Sequence, residues 1–168
     1  MIPNIHPYFV HFPIVLLILA FFCEVFGQYR HSLFLKENAK WCLSLGTLAL
    51  AGTIITGWIP QHHFHHGDLM REVVQRHQII GYFTLLIFSI LLVLKLKWQS
   101  KSVETGWIRI LYLALFLAGI NVLILGAYFG HEMVFRYGVG VSDIVDDGHA
   151  QPATADKFKK SKRQPKAQ

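Results

Sequence analysis

The chain contains 168 residues, of which 53% are hydrophobic and only 15% are charged, and its formal net charge is +6. An ordinary soluble domain has about a quarter of its residues charged, so this composition argues against one. Nucleic-acid binding is excluded as well. It needs a folded basic surface or stacking aromatic residues, whereas the basic residues here lie between apolar segments and in the C-terminal tail.

Four long apolar segments divide the chain, at about 8–27, 40–59, 78–96 and 108–129. A helix of about twenty residues crosses a hydrocarbon core, and lipid offers no hydrogen bonds, so spanning segments must be helices or a closed barrel. These segments are too long and too continuously apolar for barrel strands. The sequence therefore predicts an all-α polytopic membrane protein, with a four-helix transmembrane domain at 1–141 and a disordered basic tail at 142–168.

Basic residues in the short connections predict the orientation in the membrane. They concentrate between the first and second segments and between the third and fourth: Arg30, Lys36, Lys40, Lys95, Lys97, Lys101 and Arg109. Both termini are then expected outside the cytoplasm. We expect a multi-pass protein of the bacterial inner membrane, in contact with the lipid bilayer, with periplasmic termini.

Three local features refine this outline. Pro13 cannot donate a backbone hydrogen bond, which predicts a kink near Phe9–Pro13. Asp68 is a suitable N-cap, so the third helix is expected to begin before the membrane. Glu24 is expected to pair with Arg30 or Lys40. The sequence shows no evident internal repeat.

Nine of the ten histidines fall on one side of the membrane in this topology. Low-spin haem b needs two imidazoles facing each other across a bundle. His11 and His77, at similar depth, are the first candidate pair, and His131 with either of them is the alternative. Space for the porphyrin and partners for its propionates are expected from small and basic residues nearby: Gly81, Gly126, Gly130, Arg76, Arg71 and Arg136.

A second candidate site is a histidine-rich loop between the second and third helices. Imidazole binds Zn, Cu and Fe, and His6 or His131 could add a ligand from the same membrane face. A tetrahedral site rarely takes all its ligands from so short a segment, so a solvated polar loop remains the alternative. The four loop histidines are His62, His63, His65 and His66.

Two motifs carry a resemblance to a known family. The opening H-P-Y-F-V-H-F-P-I (6–14) and the closing G-H-E-M-V-F-R-Y-G-V-G-V (130–141) resemble a domain-of-unknown-function family of small four-helix bacterial membrane proteins. Members begin with H-P-x-x-V-H-F-P-I and end helix four with G-G-x-L-V-x-x-x-G-V-G-V. The second motif departs here, since His131 stands where glycine is more frequent and Tyr137 where histidine is common.

The resemblance implies a role in membrane electron transfer, because relatives are sometimes joined to c-type cytochrome domains. It carries over no catalytic residue. By resemblance and position together, the residues to mutate first are His6, His11, Gly57, Trp58 and His77.

The favoured hypothesis is a b-type haem subunit that passes electrons to a periplasmic c-type cytochrome or another redox protein, as a homo-oligomer or as part of a complex. The alternatives are a transition-metal-handling membrane protein and a non-catalytic accessory or assembly subunit. An enzyme acting alone is not expected, since the sequence has no nucleophile–base pair, phosphate-binding loop or paired intramembrane carboxylates.

Overall fold

The computed structural model describes residues 6–58, 68–99 and 106–137. Within these ranges the chain is helical except at Val10 and at residues 30–32, which confirms the all-α prediction. Four of the helices are long and apolar enough to cross a membrane. The basic tail and the loop histidines His62, His63, His65 and His66 lie outside the described residues. The helices are α1 (His6–Phe9), α2 (His11–Tyr29), α3 (Leu33–Trp58), α4 (Asp68–Gln99) and α5 (Gly106–Tyr137).

The first helix is interrupted at Val10, inside the segment where Pro13 predicts a kink. The backbone N–H of Val10 donates to the carbonyl of His6 at 3.3 Å, and α2 begins at the next residue. Because of this break, the short helix α1 packs against α3 as well as α2. The break thus brings residues 6–9 onto the end of α3.

A tight turn joins α2 to α3. His31 adopts a left-handed backbone with φ of 52°, the N–H of Ser32 donates to the carbonyl of Gly27 at 3.0 Å, and that of His31 to Gln28 at 3.4 Å. These bonds satisfy carbonyls that a helix end leaves free. The turn lets the two helices pack side by side.

The four long helices form a bundle in which α2 and α4 lie on one diagonal. Within the described residues α2 packs against α3 and α5, and α4 packs against the same two helices. The centre is filled by side chains from all four helices. Phe116 lies at the middle of this core, with edge-on contacts to Phe21, Phe88 and Tyr112 at centroid distances of 5.5 to 5.9 Å. The other buried core residues include Leu17, Ala20, Leu43, Leu50, Leu91, Ile120 and Leu123.

A buried ion pair crosses the same diagonal. Glu24 of α2 is 4% exposed and its carboxylate accepts from the Lys95 ammonium of α4 at 2.5 Å and from the Gln28 amide at 2.8 Å. The predicted pairing of Glu24 with Arg30 or Lys40 was therefore wrong. Lys40 pairs instead with Glu37, at 2.5 Å on its own helix.

Large apolar side chains cover the outside of the bundle, among them Phe22, Phe26, Leu48, Phe83 and Leu111. In water such a surface would drive aggregation. In a bilayer the lipid tails cover it. The outer surface therefore agrees with four membrane-spanning helices.

Candidate functional site

His6 lies at the start of α1 and packs its ring against the end of α3. Its Nδ1 is 3.0 Å from the carbonyl oxygen of Thr53 and 3.4 Å from the hydroxyl of Thr56. The ring lies directly on Gly57, since a methyl group there would come within 2.9 Å of His6 Cε1. Glycine is thus required for this close approach.

His77 on α4 repeats this arrangement against α5. Its Nδ1 is 3.0 Å from the carbonyl oxygen of Gly126. A methyl group at Gly130 would come within 3.1 Å of His77 Cε1. Each imidazole therefore bonds one backbone carbonyl and covers the glycine four residues further along the same helix.

These hydrogen bonds determine which ring nitrogens are free to bind a ligand. A carbonyl oxygen only accepts, so Nδ1 of His6 and of His77 must carry the proton. The lone pair of each neutral ring then lies on Nε2. Histidines that bind metals commonly show this pattern, because the Nδ1–H bond orients the ring and makes Nε2 more basic.

The two imidazoles are called here the histidine pair, because each bonds a backbone carbonyl and covers a glycine in the same way. Both side chains are half-buried. Burial lowers the pKa of His6 from its ordinary value, although the bond to Thr53 opposes this shift. The pair thus offers two nitrogen atoms as possible ligands near one end of the bundle. His6 comes from α1, which leads into α2, and His77 comes from α4.

His6, rather than His11, has surroundings that match those of His77, since each ring bonds a backbone carbonyl and covers a glycine. His11 begins α2 with its side chain exposed, because the break at Val10 turns α1 onto α3 while α2 continues outward. His131 is also exposed, and its ring packs on Phe135 at a centroid distance of 4.2 Å. Both side chains therefore lie on the surface of the described bundle.

The glycines expected to make room for a porphyrin have different surroundings. Gly130 accommodates the His77 ring, and a methyl group at Gly126 would come within 3.2 Å of Ile80. Gly81 alone of these three borders open space, since a methyl group there meets nothing within 4 Å.

The basic residues expected to pair with propionates are only partly described. Arg76 is exposed and bonds Glu72 one turn earlier at 2.7 Å, so that pair would have to open for the guanidinium to reach a ligand. The side chains of Arg71 and Arg136 lie outside the described part of the structure, and so does that of Trp58.

Two side-chain nitrogen atoms, one from each histidine, could act as ligands at this site. Across residues 6–58, 68–99 and 106–137, no three His, Cys, Asp or Glu side chains lie together as a metal site. Haem iron takes four nitrogens from the porphyrin and needs only two axial ligands from the protein. Cys23 and Cys42 are free thiols in the structure.

The fold and this site define an integral membrane protein of four transmembrane helices with paired histidines near one end of its bundle. The chain belongs to the family described as predicted membrane protein (DUF2231), whose model matches residues 2–143. This match confirms the resemblance to a domain-of-unknown-function membrane family. No curated protein and no solved structure matches the chain.

Proposed function

We propose that this protein is an electron-transfer subunit of the bacterial inner membrane that binds haem b through His6 and His77. The observation that carries the proposal is the equivalent setting of the two imidazoles. Each donates its Nδ1–H to a backbone carbonyl of the neighbouring helix, which leaves Nε2 available in both. Two neutral imidazoles from opposite sides of a bundle are the ligands that low-spin haem b requires.

The chain's own residues would orient and protect the cofactor. Haem supplies a one-electron redox couple when bound. The carbonyls of Thr53 and Gly126 hold the imidazoles in one tautomer, and Gly57 and Gly130 let the rings lie close to the helix backbones. Both rings are half-buried, and this burial would partly shield a bound haem from water and so influence its potential.

The orientation inferred from basic residues supports a periplasmic location for this site, with the termini on the same side. A periplasmic c-type cytochrome or another soluble redox protein could then exchange electrons with it. The resemblance to proteins joined to cytochrome domains favours the same class of partner.

A reduced-minus-oxidised absorption spectrum tests the proposal. Protein purified from haem-replete cells is expected to show a Soret band and the narrow α-band of six-coordinate haem b. His6→Ala and His77→Ala are each expected to lose the six-coordinate spectrum. His11→Ala and His131→Ala are the matched controls and should retain it, since both side chains are exposed. A wild-type protein without haem, or controls that lose it as readily as the pair variants, would refute the assignment.

Metal handling is the second candidate. The histidine-rich segment begins five residues after Gly57 in the sequence, and Gly57 contacts His6. Elemental analysis of a variant with His62, His63, His65 and His66 changed to Ala separates the two functions. Loss of bound Zn, Cu or Fe with an unchanged haem spectrum would establish the loop as a distinct site. Wild-type protein without these metals would exclude this candidate.

A further inference from the structure

The histidine pair and the buried ion pair occupy equivalent positions in the two halves of the chain. Glu24 follows His6 by eighteen residues, and Lys95 follows His77 by the same number. On the continuous helix α4, a rise of 1.5 Å per residue separates His77 from Lys95 by roughly 27 Å. His6 and Glu24 lie correspondingly near opposite ends of the segment formed by α1 and α2. The histidine pair thus lies near one end of the bundle, and the Glu24–Lys95 ion pair lies near the other end.

The residues between these positions show the same pattern of burial. In α2 and in α4, three buried residues recur with spacings of four and three, which is one face of a helix. Pro13 corresponds to Thr84, Leu17 to Phe88, and Ala20 to Leu91, and all six are buried. The two helices thus turn the same face inward.

The second helix of each half matches too. Buried positions of α3 recur in α5 at a constant offset of 73 residues, with different side chains at most of them. The corresponding pairs are Ala39 and Tyr112, Leu43 and Phe116, Gly46 and Gly119, Thr47 and Ile120, and Leu50 and Leu123.

The contacts of glycines are also repeated. A methyl group at Gly46 would meet Leu17 at 2.8 Å, and one at Gly119 would meet Phe88 at 3.3 Å. Leu17 and Phe88 are themselves equivalent residues. Gly57 and Gly130 repeat the same relationship with His6 and His77. Each half is therefore the same helical hairpin, packed in the same way.

The packing of the halves against each other has the matching symmetry. Exchanging the hairpins exchanges the α2–α5 contact with the α4–α3 contact, and both contacts occur. The histidines lie at one end and the charged residues at the other, so the pseudo-two-fold axis runs along the bundle. Parallel repeats of this kind are known in membrane proteins.

Glu24 and Lys95 occupy equivalent positions in the two hairpins, but their side chains carry opposite charges. Glu24 is buried and its carboxylate bonds both the Lys95 ammonium and the Gln28 amide. If two first hairpins from separate copies docked through this surface, Glu24 would meet Glu24. Two second hairpins would bring Lys95 against Lys95. Buried like charges disfavour both arrangements.

We infer that the chain consists of two equivalent hairpins that dock on each other about a pseudo-two-fold axis, and that the Glu24–Lys95 ion pair selects this docking over association of like hairpins from two copies. The partner of each hairpin surface is the other hairpin of the same chain. This assignment does not depend on haem or metal binding.

Charge reversal in the full-length protein tests the inference. Glu24→Lys or Lys95→Glu alone places like charges together, and each is expected to lower the melting temperature in mild detergent by roughly 10 °C and to reduce the monodisperse fraction. The double reversal restores an opposite pair and should recover most of both losses. Glu37→Lys, Lys40→Glu and their double reversal are matched controls on a more exposed pair, and should each shift the melting temperature by roughly 2 °C or less.

A neutral double variant tests the selection itself and remains informative if the single reversals do not fold. Glu24→Gln with Lys95→Met removes both charges, so like hairpins are no longer repelled. Two differently tagged copies expressed together should co-purify several-fold more than the tagged wild-type copies. Unchanged co-purification, or a double reversal as damaged as the single ones, would overturn the inference.

Discussion

His6 and His77 hold the same position in two equivalent hairpins. Each ring donates to a backbone carbonyl and lies on the glycine four residues later. The two half-sites use different local sequences, a short N-terminal helix in one case and the start of a long helix in the other. Both half-sites share the close approach of an imidazole to a helix backbone. Substitutions of the histidines and of the glycines beneath them therefore test the site most directly.

Replacing the glycines beneath the rings should damage the site. A methyl group in Gly57→Ala would lie 2.9 Å from the His6 ring, and in Gly130→Ala 3.1 Å from the His77 ring. The rings must then shift, at a cost of about 1–3 kcal/mol. We expect weaker hydrogen bonds to Thr53 and Gly126, a lower melting temperature and loss of any six-coordinate haem spectrum.

Gly52→Ala and Gly81→Ala are the matched controls, because a methyl group at either position meets nothing within 4 Å. Alanine favours a helix over glycine by about 1 kcal/mol, so these variants should be as stable as the wild type or slightly more so. Equal damage at all four positions would mean that the contact with the imidazoles is not the cause.

The stability of the haem-free protein should depend on pH through His6. Burial lowers the pKa of His6 below the value of 6.5 of the unfolded chain, so the unfolded state binds a proton more readily. The folded state with a neutral His6 is therefore favoured at high pH. This stabilisation is fully present above pH 6.5 and is lost as the pH falls through the lowered pKa of His6. The slope for one group is at most about 1.4 kcal/mol per pH unit.

Melting curves in detergent between neutral and mildly acidic pH measure this effect. His6→Ala should flatten the dependence relative to wild type, while His131→Ala, which removes an exposed imidazole, should leave it unchanged. A wild-type midpoint that rises on acidification would contradict the predicted sign.

Phe116→Ala should be the more damaging of two phenylalanine truncations. Phe116 is fully buried at the centre of the bundle and contacts aromatic rings of α2, α4 and its own helix. A cavity there is expected to cost about 3–5 kcal/mol. Phe22→Ala, on the lipid-facing surface, is the control and should cost far less. Thermal unfolding of both purified variants gives the comparison, and similar losses would argue against this core.

The orientation prediction can be tested with reporter fusions. Alkaline phosphatase is active only in the periplasm and should be active when fused after Gln168. A fusion within the connection near Lys101 should be inactive, since the surrounding basic residues are expected to keep it in the cytoplasm. The opposite pattern would reverse the topology and place the histidine pair on the cytoplasmic face.

The sequence by itself determined the number of helices long and apolar enough to span the membrane, and it determined the family. These follow from continuous apolar segments of about twenty residues and from the motifs at 6–14 and 130–141. Local signals also predicted the interruption near Pro13 and the early start of α4 at Asp68, because prolines and capping residues act on the backbone directly around them.

Only the tertiary structure decided which side chains meet. The break at Val10 lets α1 pack on α3, where His6 bonds Thr53. The diagonal placement of α2 and α4 brings Glu24 to Lys95 rather than to Arg30 or Lys40. The internal repeat stayed hidden because burial recurs while identity does not, as Leu17 and Phe88 or Ala39 and Tyr112 show. Lipid-facing helices need only be apolar, so their sequences do not specify how each helix is rotated, and packing across the bundle determines the contacts.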